Sequence, residues 1–177
     1  MEQLWAPWRM ELISKGERPA GCIFCELPRA KGGRDADREN LVLGRTRNAF
    51  AILNKYPYNN GHLMVVPRRH TADLQALEAG EHQELSEMLR VALKLLGKAY
   101  GPQGANLGMN LGQAAGAGIA DHLHWHVVPR WSGDTNFMPV IADTKVMLEH
   151  LRESWEKLRP LFEAEFHWAD QGAVESW

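Results

Sequence analysis

Asp121-His122-Leu123-His124-Trp125-His126-Val127-Val128-Pro129-Arg130 places three of the chain's eight histidines at alternate positions. Leu123, Trp125 and Val127 fill the positions between them, giving the period of two that marks a half-buried strand. Side chains on a strand alternate between faces, so all three imidazoles are expected on one face. They would sit roughly 6.5–7 Å apart, too far for direct stacking but suited to lining one elongated ligand or dividing work between two sites.

Working outward, Gly112-Gln113-Ala114-Ala115-Gly116-Ala117-Gly118 is a loop of small residues leading into the histidine strand. Residues 106–111 before it read as a strand, with Gly108 suggesting a bulge or close backbone approach. Between Ala79 and Tyr100 the apolar residues Leu85, Met88, Leu89, Ala92, Leu95, Leu96 and Ala99 recur at three- and four-residue intervals, as a helix with one buried face requires. Gly101-Pro102 is expected to stop it. Further upstream, Leu41-Val42-Leu43 and Ala49-Phe50-Ala51-Ile52-Leu53 read as adjacent antiparallel strands, the second ended by Asn54. Residues 56–61 form a turn cluster with Pro57 and Asn60-Gly61, and residues 62–66 form the next strand, closed by Pro67. Downstream, Val146, Leu151, Trp155 and Leu158 fit a second helix starting near Asp143 or Thr144, either able to cap it. Pro160 is expected to end or kink this helix.

The remaining segments are less regular. Residues 1–21 carry Trp5, Pro7, Trp8 and Arg9 and read as an arm packed on something. Residues 29–40, highly charged with Gly32-Gly33, read as an exposed loop. The tail from Glu163 to Trp177 has no decisive pattern. The order strand, strand, strand, helix, strand, strand, helix, with short links, predicts a mainly antiparallel α+β sheet with helices on one face. One domain spanning residues 1–177 is expected, with an arm at 1–21, a catalytic core at 22–138 and a C-terminal helix and tail at 139–177.

At 177 residues, with 45% hydrophobic and 24% charged residues, the composition is that of an ordinary globular domain with a substantial core. The net charge of −2 gives no reason to expect nucleic acid or an anionic membrane as a partner. An anionic ligand must therefore be held by a local site. The first residues lack the pattern of a signal peptide and no apolar run would span a bilayer, so a cytoplasmic location is expected. The only cysteines, Cys22 and Cys25, suggest metal or redox chemistry in a reducing compartment rather than a disulfide scaffold.

Three chemistries are open to the histidine strand. The imidazoles could simply face water; they could hold a catalytic zinc with an open position for water; or one could be a nucleophile toward phosphorus, since neutral imidazole is available near pH 7 and its phosphorus–nitrogen adduct splits a hard displacement in two. The adjoining loop favours the third. Its glycines, with Ala117 among them, would let backbone N–H groups from Gly116 to Gly118 converge on phosphate oxygens. Asn110 and Gln113 could add side-chain donors, and Arg130 positive charge. No Walker lysine motif is present.

His122-x-His124-x-His126 followed by Val127-Val128 resembles the signature of the histidine triad (HIT) family. The resemblance extends over Leu4-Trp5-Ala6-Pro7-Trp8-Arg9, Cys22-Ile23-Phe24-Cys25, residues 54–67, residues 110–118, and Val128-Pro129-Arg130-Trp131 to Asn136-Phe137-Met138. These look like the branch related to diadenosine tetraphosphate phosphorylase. The resemblance implies that His124 attacks the α-phosphorus to give a covalent nucleotidyl-histidine. It implies that His126 contacts the phosphate and assists the leaving group, that His62 supports the nucleophile, and that Asn54 binds ribose. The expected substrate is a dinucleoside polyphosphate or other nucleotide, with inorganic phosphate as an acceptor. The fold implied is a five-stranded antiparallel sheet with two helices, paired in a homodimer into a ten-stranded sheet.

A structural zinc needs more than Cys22 and Cys25. In related members, and in the galactose-phosphate uridylyltransferases they resemble, a histidine after the third strand and the first triad histidine complete the set. Those positions match His70 and His122. Two departures bear on the reaction: Gly118 stands where the family's hydrolases usually carry glutamine, and His126 where the uridylyltransferases usually carry glutamine. Both point toward phosphorolysis.

Overall fold

The computed structural model describes residues 21–134 and 147–166. Five strands form one antiparallel sheet: β1 (Val42–Arg45), β2 (Ala49–Leu53), β3 (Leu63–Pro67), β4 (Gly104–Gly108) and β5 (Trp125–Arg130), in spatial order β1-β2-β3-β5-β4. Four α-helices accompany them among the described residues: α1 (Ile23–Glu26), α2 (Gly33–Glu39), α3 (Ala79–Tyr100) and α4 (Leu151–Glu165). The expected pair of helices is therefore α3 and α4, and two shorter ones are added. The arm at residues 1–20, Asn136-Phe137-Met138, Asp143, Thr144 and Val146, and Trp168 and Trp177 of the tail lie outside the described residues.

Strands β1 to β3 are buried on both faces of the sheet. Leu43, Ala51, Leu53, Leu63, Val65 and Val127 pack against Leu85, Met88, Ala92 and Leu95 of α3 and Trp155, Leu158 and Phe162 of α4. On the opposite face Val42, Phe50, Ile52, Met64 and Val66 enclose Phe24 of α1. Helix α3 runs where its apolar spacing places it. Glu78 and Glu81 form a reciprocal capping box at its start, and Gly101 ends it with φ +55°, the left-handed turn glycine tolerates best.

Four expectations are corrected. Residues 33–39 form α2 rather than an exposed loop. This helix has no apolar stripe, and it is held by Asp37, buried against Arg45 (2.8 Å to Nη1) and Arg159 (3.2 Å). Helix α4 starts at Leu151, with His150 capping the N–H of Arg152 and closing a capping box with Glu153. It also does not end at Pro160, an exposed residue, but continues to Glu165. Finally, β5 begins only at Trp125, so His126 alone of the triad lies within it and His122 and His124 occupy the irregular segment before it.

The alternation nevertheless holds across that boundary. Leu123, Trp125 and Val127 turn toward the helical layer. His126 stands opposite Met64 on β3 and Gly108 on β4. Directly paired residues share a face, so the imidazoles are on the side of Phe24.

Candidate functional site

Two clusters meet along the segment from His122 to His126. In the first, Cys22, Cys25, His70 and His122 bring their donor atoms within 4.8 Å of one another. The Cys22 and Cys25 sulfurs lie 3.3 and 3.7 Å from His122 Nδ1, Cys25 Sγ is 3.4 Å from His70 Nδ1, and the two Nδ1 atoms are 3.3 Å apart. Around a tetrahedral zinc, two thiolates and two imidazoles place their donors roughly 3.3–3.8 Å apart, so the residues fit that ion. His122 Nε2 is 2.8 Å from the Pro67 carbonyl. A carbonyl only accepts, so the His122 proton lies on Nε2 and the Nδ1 lone pair faces the sulfurs, the arrangement a metal ligand needs. Burial pushes the His122 pKa down to about 4, which keeps the ring neutral. Burial, then the neighbouring Cys22, raises that of Cys25; a cation between the thiols would reverse this.

The second cluster contains His124, His126 and His62. His124 is buried, and its Nδ1 is 2.9 Å from the carbonyl of His122. Its proton is therefore on Nδ1, leaving the Nε2 lone pair available for attack. Burial holds its pKa below the ordinary value, opposed by that backbone bond, so the imidazole is neutral near pH 7. The ring of Phe24 packs 5.0 Å from His124 and 5.5 Å from His122, joining the two clusters through the short helix that also carries the cysteines.

His62 is buried at the mouth of β3. The backbone N–H of Tyr58 donates to its Nδ1 at 2.9 Å, so a neutral His62 carries its proton on Nε2. That proton points at His126 Nδ1, 2.9 Å away. A neutral His126 must then hold its own proton on Nε2. His124 and His126, with ring centroids 5.1 Å apart, thus present opposite Nε2 states: a lone pair on one, a proton on the other.

Asn54 sits beside this pair, its Nδ2 3.4 Å from His62 Nε2 and its Oδ1 accepting the Tyr56 N–H at 2.9 Å. The loop after β4 starts directly after Gly108, the partner of His126. Its glycine turns are at Gly112 and Gly116, with φ +76° and +84°. The N–H groups of Gly116 and Ala117 bond to carbonyls of Gln113 and Gly112 inside the loop, and Asn110 Nδ2 reaches the Gly116 carbonyl at 3.4 Å. These bonds brace the loop beside the imidazoles. Gln113 and Gly118 are exposed on it.

Arg130 does not reach the imidazoles. It stands four residues along β5 from His126, roughly 13 Å at strand rise, and its guanidinium is held by Asp134 at 2.6 and 2.8 Å and by Asn106 at 2.9 Å. Phe24, Tyr58 and the Pro67 carbonyl are the contributors that spacing did not reveal. Phe24 lay inside a motif read only for its cysteines, and Tyr58 in a turn read only for its bend.

Residues 36–133, more than half of the chain, match the HIT domain. The chain belongs to the HIT family. It is 39% identical over 163 residues to a Mycobacterium tuberculosis protein named AP-4-A phosphorylase, covering 87% of this chain and 80% of that one. It is 31% identical over 109 residues to an adenosine 5'-monophosphoramidase of Schizosaccharomyces pombe, covering 62% and 74%. These relatives are enzymes, and the chain is an enzyme of their family. A zinc-bound histidine triad family protein from Mycobacterium smegmatis has the same fold, with TM-score 0.63 at 23% identity over 82% of this chain and 95% of that one.

Proposed function

We propose that this chain cleaves diadenosine tetraphosphate or a similar dinucleoside polyphosphate by nucleotidyl transfer to His124, followed by phosphorolysis. The observations that carry the reading are the contacts that give the two neighbouring Nε2 atoms opposite protonation in neutral rings: His124 Nδ1 on the His122 carbonyl, and the Tyr58 N–H on His62 beside His126. His124 Nε2 attacks the α-phosphorus, forming a P–N bond as the bond to the bridging oxygen breaks. His126 donates a hydrogen bond from its Nε2–H to that oxygen as negative charge develops on it, and His62, bonded to Nδ1 of His126, holds the ring in that orientation. In the second step an ionised oxygen of inorganic phosphate attacks the same phosphorus, and as the P–N bond breaks its electron pair returns to His124. Asn54 holds the ribose, while the loop bearing Asn110, Gln113, Gly116, Ala117 and Gly118 lies against the phosphates.

The likeness to a protein named AP-4-A phosphorylase supports phosphate as the acceptor. Incubation with diadenosine tetraphosphate, with and without phosphate, tests this: ATP plus ADP should appear only when phosphate is present. ATP plus AMP regardless of phosphate would overturn the phosphorylase assignment. The likeness to an adenosine 5'-monophosphoramidase supports a second reading, hydrolysis of phosphoramidates by the same histidines. A faster rate on adenosine phosphoramidate than on the dinucleotide would select it.

Cys22, Cys25, His70 and His122 would hold a structural zinc, which would tie α1 to the catalytic segment and fix its imidazoles. A cytoplasmic setting would keep these thiols reduced; among the described residues no helix is long and apolar enough to cross a membrane. A homodimer is supported by the sheet edge: every residue of β4 is exposed, with Leu107 and Leu111 among the exposed large apolar side chains. An edge of that kind is a template for strand pairing, and light scattering at twice the chain mass would agree with a ten-stranded dimer.

A further inference from the structure

The four residues of the cysteine–histidine cluster are not equally held. His122 is buried and its ring is bonded to Pro67, and Cys22 and Cys25 are half-buried around Phe24. His70 alone is exposed; its ring meets that of His122 edge-on at 5.1 Å, but among the described residues no carbonyl bonds its second ring nitrogen. Its backbone is tethered on both sides. Pro67 accepts from His122, and the Thr71 carbonyl accepts from the Leu123 N–H at 2.8 Å.

Between those tethers Arg69 supplies a lateral hold. Its Nε donates to Glu81 Oε1 at 2.9 Å and its Nη2 to Glu78 Oε1 at 2.8 Å. Glu81 is buried, and its other oxygen accepts the Glu78 N–H at 2.8 Å in the capping box of α3. A guanidinium fork on two carboxylates restrains rotation as well as position. The residue next to the exposed ligand is thus pinned to the rigid start of a 22-residue helix.

We propose that metal enters and leaves the cluster on the His70 side, and that the Arg69 fork on Glu81 and Glu78 is the latch governing how long His70 stays in place. The proposal rests on reading Cys22, Cys25, His70 and His122 as a metal site. Arg69 and Glu81 touch neither metal nor substrate; they are positioning residues acting through the backbone of His70. Breaking the latch should speed release without changing the ligand set, because the remaining donors and the tethers at Pro67 and Thr71 stay.

The test is the rate at which the zinc-loaded protein transfers its metal to an excess of a chromophoric chelator. Arg69→Gln and Glu81→Gln should each release zinc about fivefold faster than the parent, a change of the size expected for one well-placed ionic contact. Arg90→Gln, which removes an exposed pair with Glu87 on the same helix, should release at the parent rate. Thermal midpoints of the metal-free proteins serve as the second measurement. Faster release with unchanged metal-free midpoints supports the latch. Release within twofold of the parent in both variants overturns it, as does faster release matched by an equal loss of midpoint in the metal-free state, which would make the contact a general stabiliser. A parent protein that takes up no zinc overturns the underlying metal reading instead.

Discussion

His62 Nε2 lies 2.9 Å from His126 Nδ1, and the Tyr58 N–H on the other nitrogen of His62 gives that contact a direction. Two neutral imidazoles in contact are ambiguous by themselves, since either could donate. One backbone N–H, which can only donate, resolves both rings and sets the proton of His126 on the side away from His62.

Replacing His62 by alanine should therefore weaken hydrogen-bond donation to the leaving group more than attack. Turnover of the dinucleotide should fall by about 10²-fold or more, with a smaller loss on a nucleotide ester whose leaving group needs no proton. Equal losses on both substrates would show that His62 serves a different role.

His124→Ala should remove the covalent intermediate. Intact mass after acid-free denaturing quench should show a nucleotidyl adduct in the parent protein and none in the variant. An undiminished adduct in His124→Ala would assign the nucleophile elsewhere.

Stripping the metal should lower thermal stability. A site filled at about 1,000 times its dissociation constant stabilises by ~4 kcal/mol, and each ~1 kcal/mol moves the midpoint of a chain this size by roughly 2–4 °C, so a fall of about 10 °C is expected. Cys25→Ser should show no zinc-dependent shift. Loss of turnover on chelation with no change in midpoint, together with an anomalous-scattering map placing metal on His122, His124 and His126, would instead identify a catalytic ion.

Gly61→Ala should cost about 1–3 kcal/mol in denaturant unfolding. Gly61 has φ +72°, and a Cβ there would come within 2.9 Å of Tyr100 Cε2 and 3.1 Å of Leu96 Cδ2. The strain would fall on the turn in which the His62 N–H donates to the Asn59 carbonyl at 3.1 Å, so turnover should drop as well. An unchanged unfolding midpoint would mean the turn can move away from α3.

Periodicity read the elements with an apolar face. Helix α3 and strand β2 have the bounds their spacing suggests, and the antiparallel pairing of β1 with β2 and of β2 with β3 follows from their short links, whereas the placing of β5 between β3 and β4 does not. It could not read α2, whose sequence Gly-Arg-Asp-Ala-Asp-Arg-Glu has no apolar stripe and is anchored by the buried pairing of Asp37 with Arg45 and Arg159. Nor could it tell whether α4 ends at Pro160: the helix continues to Glu165, with Pro160 on its exposed side.

The candidate site divides the same way. Three histidines at alternate positions already put their rings on one side of the chain, and Cys22-x-x-Cys25 already offered two ligands, because strand geometry and residue chemistry are local. Which nitrogen of each ring carries the proton was decided only in three dimensions, by the Pro67 and His122 carbonyls and the Tyr58 N–H. The family resemblance named His70 and His122 as partners of cysteines 45 to 100 positions away, but only the tertiary structure puts their donor atoms together. A tautomer is set by what the other nitrogen meets, and a ligand set by which loops the sheet brings together, and neither partner is written in the neighbouring sequence.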